Sequence, residues 1–115
     1  MEIRKVTYKE VADTFRHVKP DLLDEYATYY GCLIKDELVG IVSYVEHIYT
    51  IYLGHAYVLE EHRNKGIYKL LWEYRDQKVK DTEKTIYAHC NASSLKHFLN
   101  SGYYIEKPLF KVVKK

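Results

Sequence analysis

Arg63-Asn64-Lys65-Gly66 is a cationic turn at the point where a strand gives way to a helix. The run HAYVLEEHRNKGIYKLLWEY opens as an alternating apolar stretch, His55 to Val58. It closes at helical spacing, with Ile67, Leu70, Leu71 and Tyr74 at i, i+3, i+4 and i+7. A helix start exposes up to four unpaired N–H groups and the positive end of the macrodipole. Such an end is suited to phosphate. Gly66 would let a ligand approach the backbone closely, and Arg63 and Lys65 add positive charge. A pyrophosphate fits this pattern. One glycine and two cations also read as a solvated basic turn, so the motif by itself is weak.

The elements that must position this turn can be read from the rest of the chain. EIRKVT is a short first strand. Thr7 with Glu10 is a capping box, and Tyr8, Val11, Ala12 and Phe15 follow at helical spacing. Pro20 suits the first turn of a second helix, with Leu22, Leu23 and Tyr26 inward and Gly31 as its stop. CLIKDELVGIVSYVE reads as two strands around an Asp36-Glu37 turn, and TIYLGHAYV as an interior strand. The clearest helix covers residues 66 to 79, with Leu70, Leu71 and Tyr74 as core. KTIYAHC is a strand, and Asn91 caps a short helix carrying Leu95, Phe98 and Leu99 that ends at Gly102. Two closing strands flank Pro108. This order predicts an α/β fold with a mixed sheet.

The totals narrow the function classes. A chain of 115 residues is one domain by length. A net charge of +2 carries no strong field toward nucleic acid or a membrane. No apolar run is long enough to span a bilayer, and MEIRKVTYKE is too charged and mixed for a secretory leader. Cys32 and Cys90 match no metal or redox spacing and read as reduced thiols of a cytoplasmic protein. His62, His89 and His97 have no zinc-like spacing. The basic end KVVKK reads as a solvated terminus.

A second stretch, NASSLKHFLNSGYY, follows the next strand. Together the two stretches resemble the GNAT superfamily of N-acetyltransferases. Arg63, Gly66 and Tyr68 stand at the positions of that family's Arg/Gln-x-x-Gly-x-Gly/Ala coenzyme A signature, with Val58 in its lead-in strand. Asn91, Ser94, Phe98, Gly102 and Tyr103 follow its Asn-x-x-Ala/Ser-x-x-x-Tyr-x-x-x-Gly-Phe pattern. Gly40 matches the glycine of the third strand, and the element order agrees over nearly the whole chain. The resemblance implies a single GNAT-like acyltransferase domain over residues 1 to 115. Its sheet is expected to be mixed and mainly antiparallel, splayed between strands 4 and 5, with about four flanking helices.

The resemblance also implies roles. Acetyl-CoA is the acyl donor, and no metal is needed. The pantetheine arm pairs with the backbone of Ala56, Tyr57 and Val58. The pyrophosphate rests on amides of Asn64, Lys65, Gly66, Ile67, Tyr68 and Lys69, beside Arg63. Asn91 corresponds to a coenzyme-contacting asparagine. The acceptor is a primary amine: a small amine, a protein lysine or an N-terminus. A homodimer through the closing strands is compatible with the family. For the base, Tyr52 shares a face with Val58 if strand 4 alternates strictly, and His55 points to the other face unless a bulge changes the parity. Tyrosine is a poor base unless its pKa is lowered, whereas histidine titrates near neutrality. Both also read as structural residues. His47, beside Glu46, is a further candidate for the acceptor side.

Two departures stand out. Tyr68 replaces a Gly/Ala and would either crowd the phosphates or point aside. Phe98 replaces a tyrosine that serves in many members as the acid toward the sulfur, and phenylalanine has no proton to give. The alternative function is therefore a weak or inactive GNAT-fold module that binds acyl-CoA or a protein partner. A nucleic-acid-directed protein is a third reading.

Overall fold

The computed structural model describes residues 1–90, 92–107 and 111–114. Its elements run β1 (Glu2–Val6), α1 (Tyr8–Phe15), a 3-10 turn (Pro20–Leu22), β2 (Thr28–Ile34), β3 (Glu37–Glu46) and β4 (Thr50–Val58). A second 3-10 turn (Glu60–His62), α2 (Ile67–Val79), β5 (Thr85–His89), α3 (Ala92–Asn100), β6 (Tyr103–Lys107) and β7 (Lys111–Lys114) complete the order. The sheet has seven strands in the order β1-β2-β3-β4-β5-β7-β6. It is mainly antiparallel, and β4 and β5 are its parallel pair. α2 is the crossover that a parallel pair requires. The fold is mixed α/β, as the sequence predicts. The described residues hold three α-helices rather than four.

Residues 1–45 and 54–81 form one compact unit, and 46–53 with 82–115 another. In the first, α1 covers one apolar cluster, with Val6, Val11, Phe15, Tyr29 and Ile41 buried and Tyr57 packed against them. Phe15 meets the Tyr57 ring edge-on at 5.9 Å. α2 covers a second cluster, in which Ile67 and Leu71 join Tyr30, Cys32, Val39, Val42 and Val58. Burial of such a side chain is worth roughly 1.5–3 kcal/mol. A lost N-cap costs about 1 kcal/mol. Packing therefore holds α1 in place, and its cap fixes where it starts.

That cap is complete. Thr7 Oγ1 accepts the Glu10 amide at 3.1 Å, and Glu10 Oε1 accepts the Thr7 amide at 3.0 Å. Arg4 closes the group at 2.8 Å from Glu10.

Side chains also explain why the second helix stops after one turn. The Tyr29 hydroxyl donates to the Leu22 carbonyl at 2.6 Å and accepts the Asp24 amide at 2.7 Å. Asp24 Oδ1 accepts the Tyr26 amide at 2.9 Å. Backbone groups that would extend a helix are already taken, and Tyr26 is left 82% exposed. Gly31 is not a helix stop. It lies within β2, opposite Arg4 and Ile41, where a Cβ would collide with Leu38. The β2–β3 turn falls one residue earlier than its sequence suggests. Lys35 and Asp36 carry it, both at positive φ (51° and 67°), as a two-residue hairpin with the twist of its strands demands.

The buried face of α2 is also shifted. Ile67, Leu71, Trp72, Arg75 and Val79 are buried, while Leu70 is 37% exposed. In the second unit, β4 pairs with β5 over Thr50–Tyr52, and β5 and β6 flank β7. Lys84 ties the β3–β4 hairpin by donating to Glu46 at 2.7 Å and to the His47 carbonyl at 2.8 Å. Phe98 is buried on α3, 5.1 Å from the Tyr103 ring, and Gly102 ends that helix at φ 90°.

The α1 cap makes a pH prediction. The Arg4 hydrogen bond, then the Thr7 amide, hold the Glu10 carboxyl at about 2 against its ordinary 4.5. A folded value below the unfolded one stabilises above about pH 4.5 and is lost as pH falls through about 2. The stability gap between wild type and Glu10→Gln should be constant near neutrality and close over that window in urea titrations. It should be modest, because both side chains are partly in water. A gap unchanged at low pH would contradict the assignment.

Candidate functional site

The end of β4 and the start of α2 enclose a pocket of about 510 Å³. Its lining includes Ala56, Tyr57 and Val58 from the strand, and Arg63, Asn64, Gly66, Ile67, Tyr68 and Lys69 from the turn and helix, with His62. The structure thus gathers nine of the proposed coenzyme residues around one cavity. Lys65 stands next in the chain, its Nζ 3.2 Å from His62 Nδ1.

The turn is shaped by its own chemistry. Asn64 and Gly66 both take left-handed backbone, at φ 65° and 79°. Asparagine tolerates that region and glycine enters it freely. Nothing lies within 4 Å of where a Gly66 Cβ would stand, so φ rather than crowding calls for glycine there. Arg63 folds back onto the strand. Its Nε donates to the Val58 carbonyl at 3.0 Å, and its guanidinium lies 5.3 Å from the centre of the Tyr57 ring. Arg63 thereby anchors the turn to the strand end as well as charging it.

α2 begins without a cap. Gly66 has no side chain to offer, and the first turn holds no acidic residue. Leu70 is the first amide bonded back, to the Gly66 carbonyl at 3.1 Å. The amides ahead of it stand at the positive end of the helix dipole. Lys69 is partly neutralised by Glu73 at 3.9 Å, but that pair is exposed and weak. An uncapped helix start with cations beside it has the chemistry that anions favour.

Tyr68 resolves one departure in part. Its ring lies 6.3 Å from the Trp72 ring one helical turn on, and it also lines the pocket. It shapes a pocket wall, 43% exposed, without filling the cavity.

The two candidate base residues fall in different compact units. His55 is exposed in the first unit, and its amide is bound by the Ser43 hydroxyl at 3.0 Å. Burial opposes the Asp21 charge. The Lys19 hydrogen bond, with the positive fields of Lys19 and His55, outweighs it, so the carboxyl sits below its ordinary value. Tyr52 lies in the second unit, 5.2 Å from the Tyr87 ring and 5.6 Å from the His89 ring. Burial, then the neighbouring Tyr87, raise its pKa.

In β4 Ile51, Leu53 and Val58 are buried, and the neighbours Tyr57 and Val58 pack into two different apolar clusters. Asn91 lies outside the described residues. His47 stands on the exposed hairpin surface with Glu46, Ile48, Tyr49 and Thr50. Among the described residues no group of three or more His, Cys, Asp or Glu could hold a metal ion, and no helix is long and apolar enough to cross a membrane.

Sequence reasoning missed Arg75. It lies eight residues after Ile67 and four after Leu71, on their buried stripe. That spacing was visible, but arginine ordinarily marks a solvent face.

Comparison with known proteins follows the same lines. The model of the acetyltransferase (GNAT) family matches residues 2–103. A search of curated proteins finds no match. Among solved structures, the PaiA N-acetyltransferase from Thermoplasma acidophilum, in complex with coenzyme A, is similar at TM-score 0.72 and 17% identity, over 99% of this chain and 98% of that one. ElaA of Escherichia coli is similar at TM-score 0.73 and 12% identity, over 100% of both chains. A GNAT family acetyltransferase from Elizabethkingia anophelis, with acetyl-CoA bound, is similar at TM-score 0.66 and 19% identity, over 92% of this chain and 77% of that one.

Gly66→Ala should destabilise the protein by about 1 kcal/mol through backbone strain alone, seen as a lower melting temperature. Asn64→Gly should be nearly neutral. A neutral Gly66→Ala would show that the left-handed turn is not required.

Proposed function

Since the chain belongs to the GNAT acetyltransferase family, we propose that it transfers an acetyl group from acetyl-CoA to a primary amine. The observation that carries this reading is the uncapped cationic start of α2 beside the pocket-lining end of β4. The diphosphate would accept hydrogen bonds from the amides between Asn64 and Lys69. Arg63, Lys65 and Lys69 would offset its charge. The main chain of Ala56–Val58 would pair with the pantetheine arm. The family match spans both compact units, which supports one acyltransferase domain over residues 1–115.

The chemistry is direct. The neutral amine nitrogen attacks the thioester carbonyl and forms the C–N bond. The tetrahedral intermediate collapses, the C–S bond breaks and the coenzyme leaves as thiolate. A base takes the proton from the nitrogen. His55 is the stronger candidate, because burial keeps Tyr52 a protonated phenol at neutral pH, with no free base to offer. Phe98, in the place of the family's acidic tyrosine, leaves thiolate protonation to water or another group. That loss is tolerable for a leaving thiol with a free pKa of about 8.5. The acceptor is a small amine, a lysine side chain or a protein N-terminus. The thiols of Cys32 and Cys90 support a reducing, cytoplasmic setting.

Phe98 also favours a second reading, a domain that holds acyl-CoA with little or no turnover.

Calorimetry with coenzyme A tests the seat. Gly66→Arg should weaken binding at least about 30-fold, about 2 kcal/mol. Gly66→Ala carries the same backbone strain and should weaken it far less. Equal losses would remove the pyrophosphate seat. Thiol release from acetyl-CoA across a panel of amines then separates enzyme from binder, since tight binding without release favours the second reading. In an active enzyme, Phe98→Tyr should raise turnover about tenfold or more. An unchanged rate would show that the missing proton donor does not limit it.

A further inference from the structure

At Gly54-His55 the hydrogen-bond ladder of β4 is interrupted, and two side chains from other elements bind its backbone there. Ser43 Oγ, on β3, accepts the His55 amide at 3.0 Å. Arg75, on α2, donates from Nη1 to the Ser43 carbonyl at 2.9 Å and to the Gly54 carbonyl at 3.4 Å. Its guanidinium carbon lies 4.6 Å from the centre of the Trp72 ring, and the residue is fully buried.

In an unbroken ladder, neighbouring strands satisfy each other's amides and carbonyls. Around Gly54-His55, side chains take part of that work. Gly54 also has to be small, because a Cβ there would collide with the Ser43 hydroxyl. Both bonds leave the one nitrogen Nη1, and arginine suits the position because its planar guanidinium can also lie over the Trp72 ring, which a lysine ammonium cannot match. Beyond the break come Ala56, Tyr57 and Val58, which line the pocket. Their orientation depends on how β4 leaves Gly54.

We propose that Ser43 and Arg75 form a clasp that fixes the break in β4 and so positions the main chain of Ala56–Val58 for the pantetheine arm of acyl-CoA. This rests on the acyl-CoA reading of the pocket. Arg75 is a positioning residue, for it touches backbone and acts through β4.

The test compares two probes, whole coenzyme A and its nucleotide end, 3′-phospho-ADP. Only the first carries the arm. Arg75→Met keeps length and apolar bulk but removes the donors. It should weaken coenzyme A about tenfold or more, as loss of one or two aligned backbone hydrogen bonds implies, and 3′-phospho-ADP by less than about twofold. Amide exchange at His55 to Val58 should speed up while β2 stays protected. Ser43→Ala should act in the same direction but less, and Arg75→Lys should restore part of the affinity.

Equal weakening of both probes would mark general structural support and overturn the proposal. So would unchanged coenzyme A binding with unchanged exchange. If Arg75→Met fails to fold, Ser43→Ala is judged alone on the same criteria. If the wild type binds neither probe, the acyl-CoA reading fails. Exchange at His55 to Val58 then still decides whether the clasp holds the strand.

Discussion

Every helix must find partners for the amides of its first turn, and α2 finds none in its own cap. The contrast with α1 is internal to one chain. There, Thr7, Glu10 and Arg4 form a closed set of hydrogen bonds and charge. At α2 the cap residue is a left-handed glycine, the first turn has no acid, and the nearby charged side chains include Arg63, Lys65 and Lys69. A purely structural helix start gains from Asp or Glu. This one carries the opposite sign, which the proposed diphosphate would offset. The pocket, the backbone of the turn and the family match converge on that demand.

The strand opposite has a matching difficulty. β4 serves two neighbours, being bonded in parallel to β5 near its start and lining a cavity near its end. Between the two regions, at Gly54-His55, hydrogen bonds with the Ser43 and Arg75 side chains take the place of ladder bonds.

Much of this was legible in the residues. Apolar spacing found α1, α2 and most strands, and Arg63, Gly66 and Lys69 pointed to the pocket. The misses share a cause. Pro20 and Leu22 predicted a helix because propensity cannot see Tyr29, folded in from β2 to occupy the Leu22 and Asp24 backbone groups. Hydrophobicity points Leu70 inward, whereas the buried stripe takes Arg75, whose charge points outward by type. The turn lies at Lys35-Asp36, one residue earlier than composition suggests, because the backbone twist decides which pair takes positive φ. Local patterns located the elements, and long-range hydrogen bonds determined their ends and faces.

Cys32 lies fully buried in the α2-side cluster, and burial raises its thiol pKa. Cys90, in the other unit, is only half-buried, although burial raises its thiol pKa as well. The chain therefore contains a natural clock. An alkylating reagent reaches Cys90 in the native state but must wait for the first unit to open before it finds Cys32 as thiolate. The delay between the two adducts, read by mass, times the breathing of the layer beneath α2 without any introduced label.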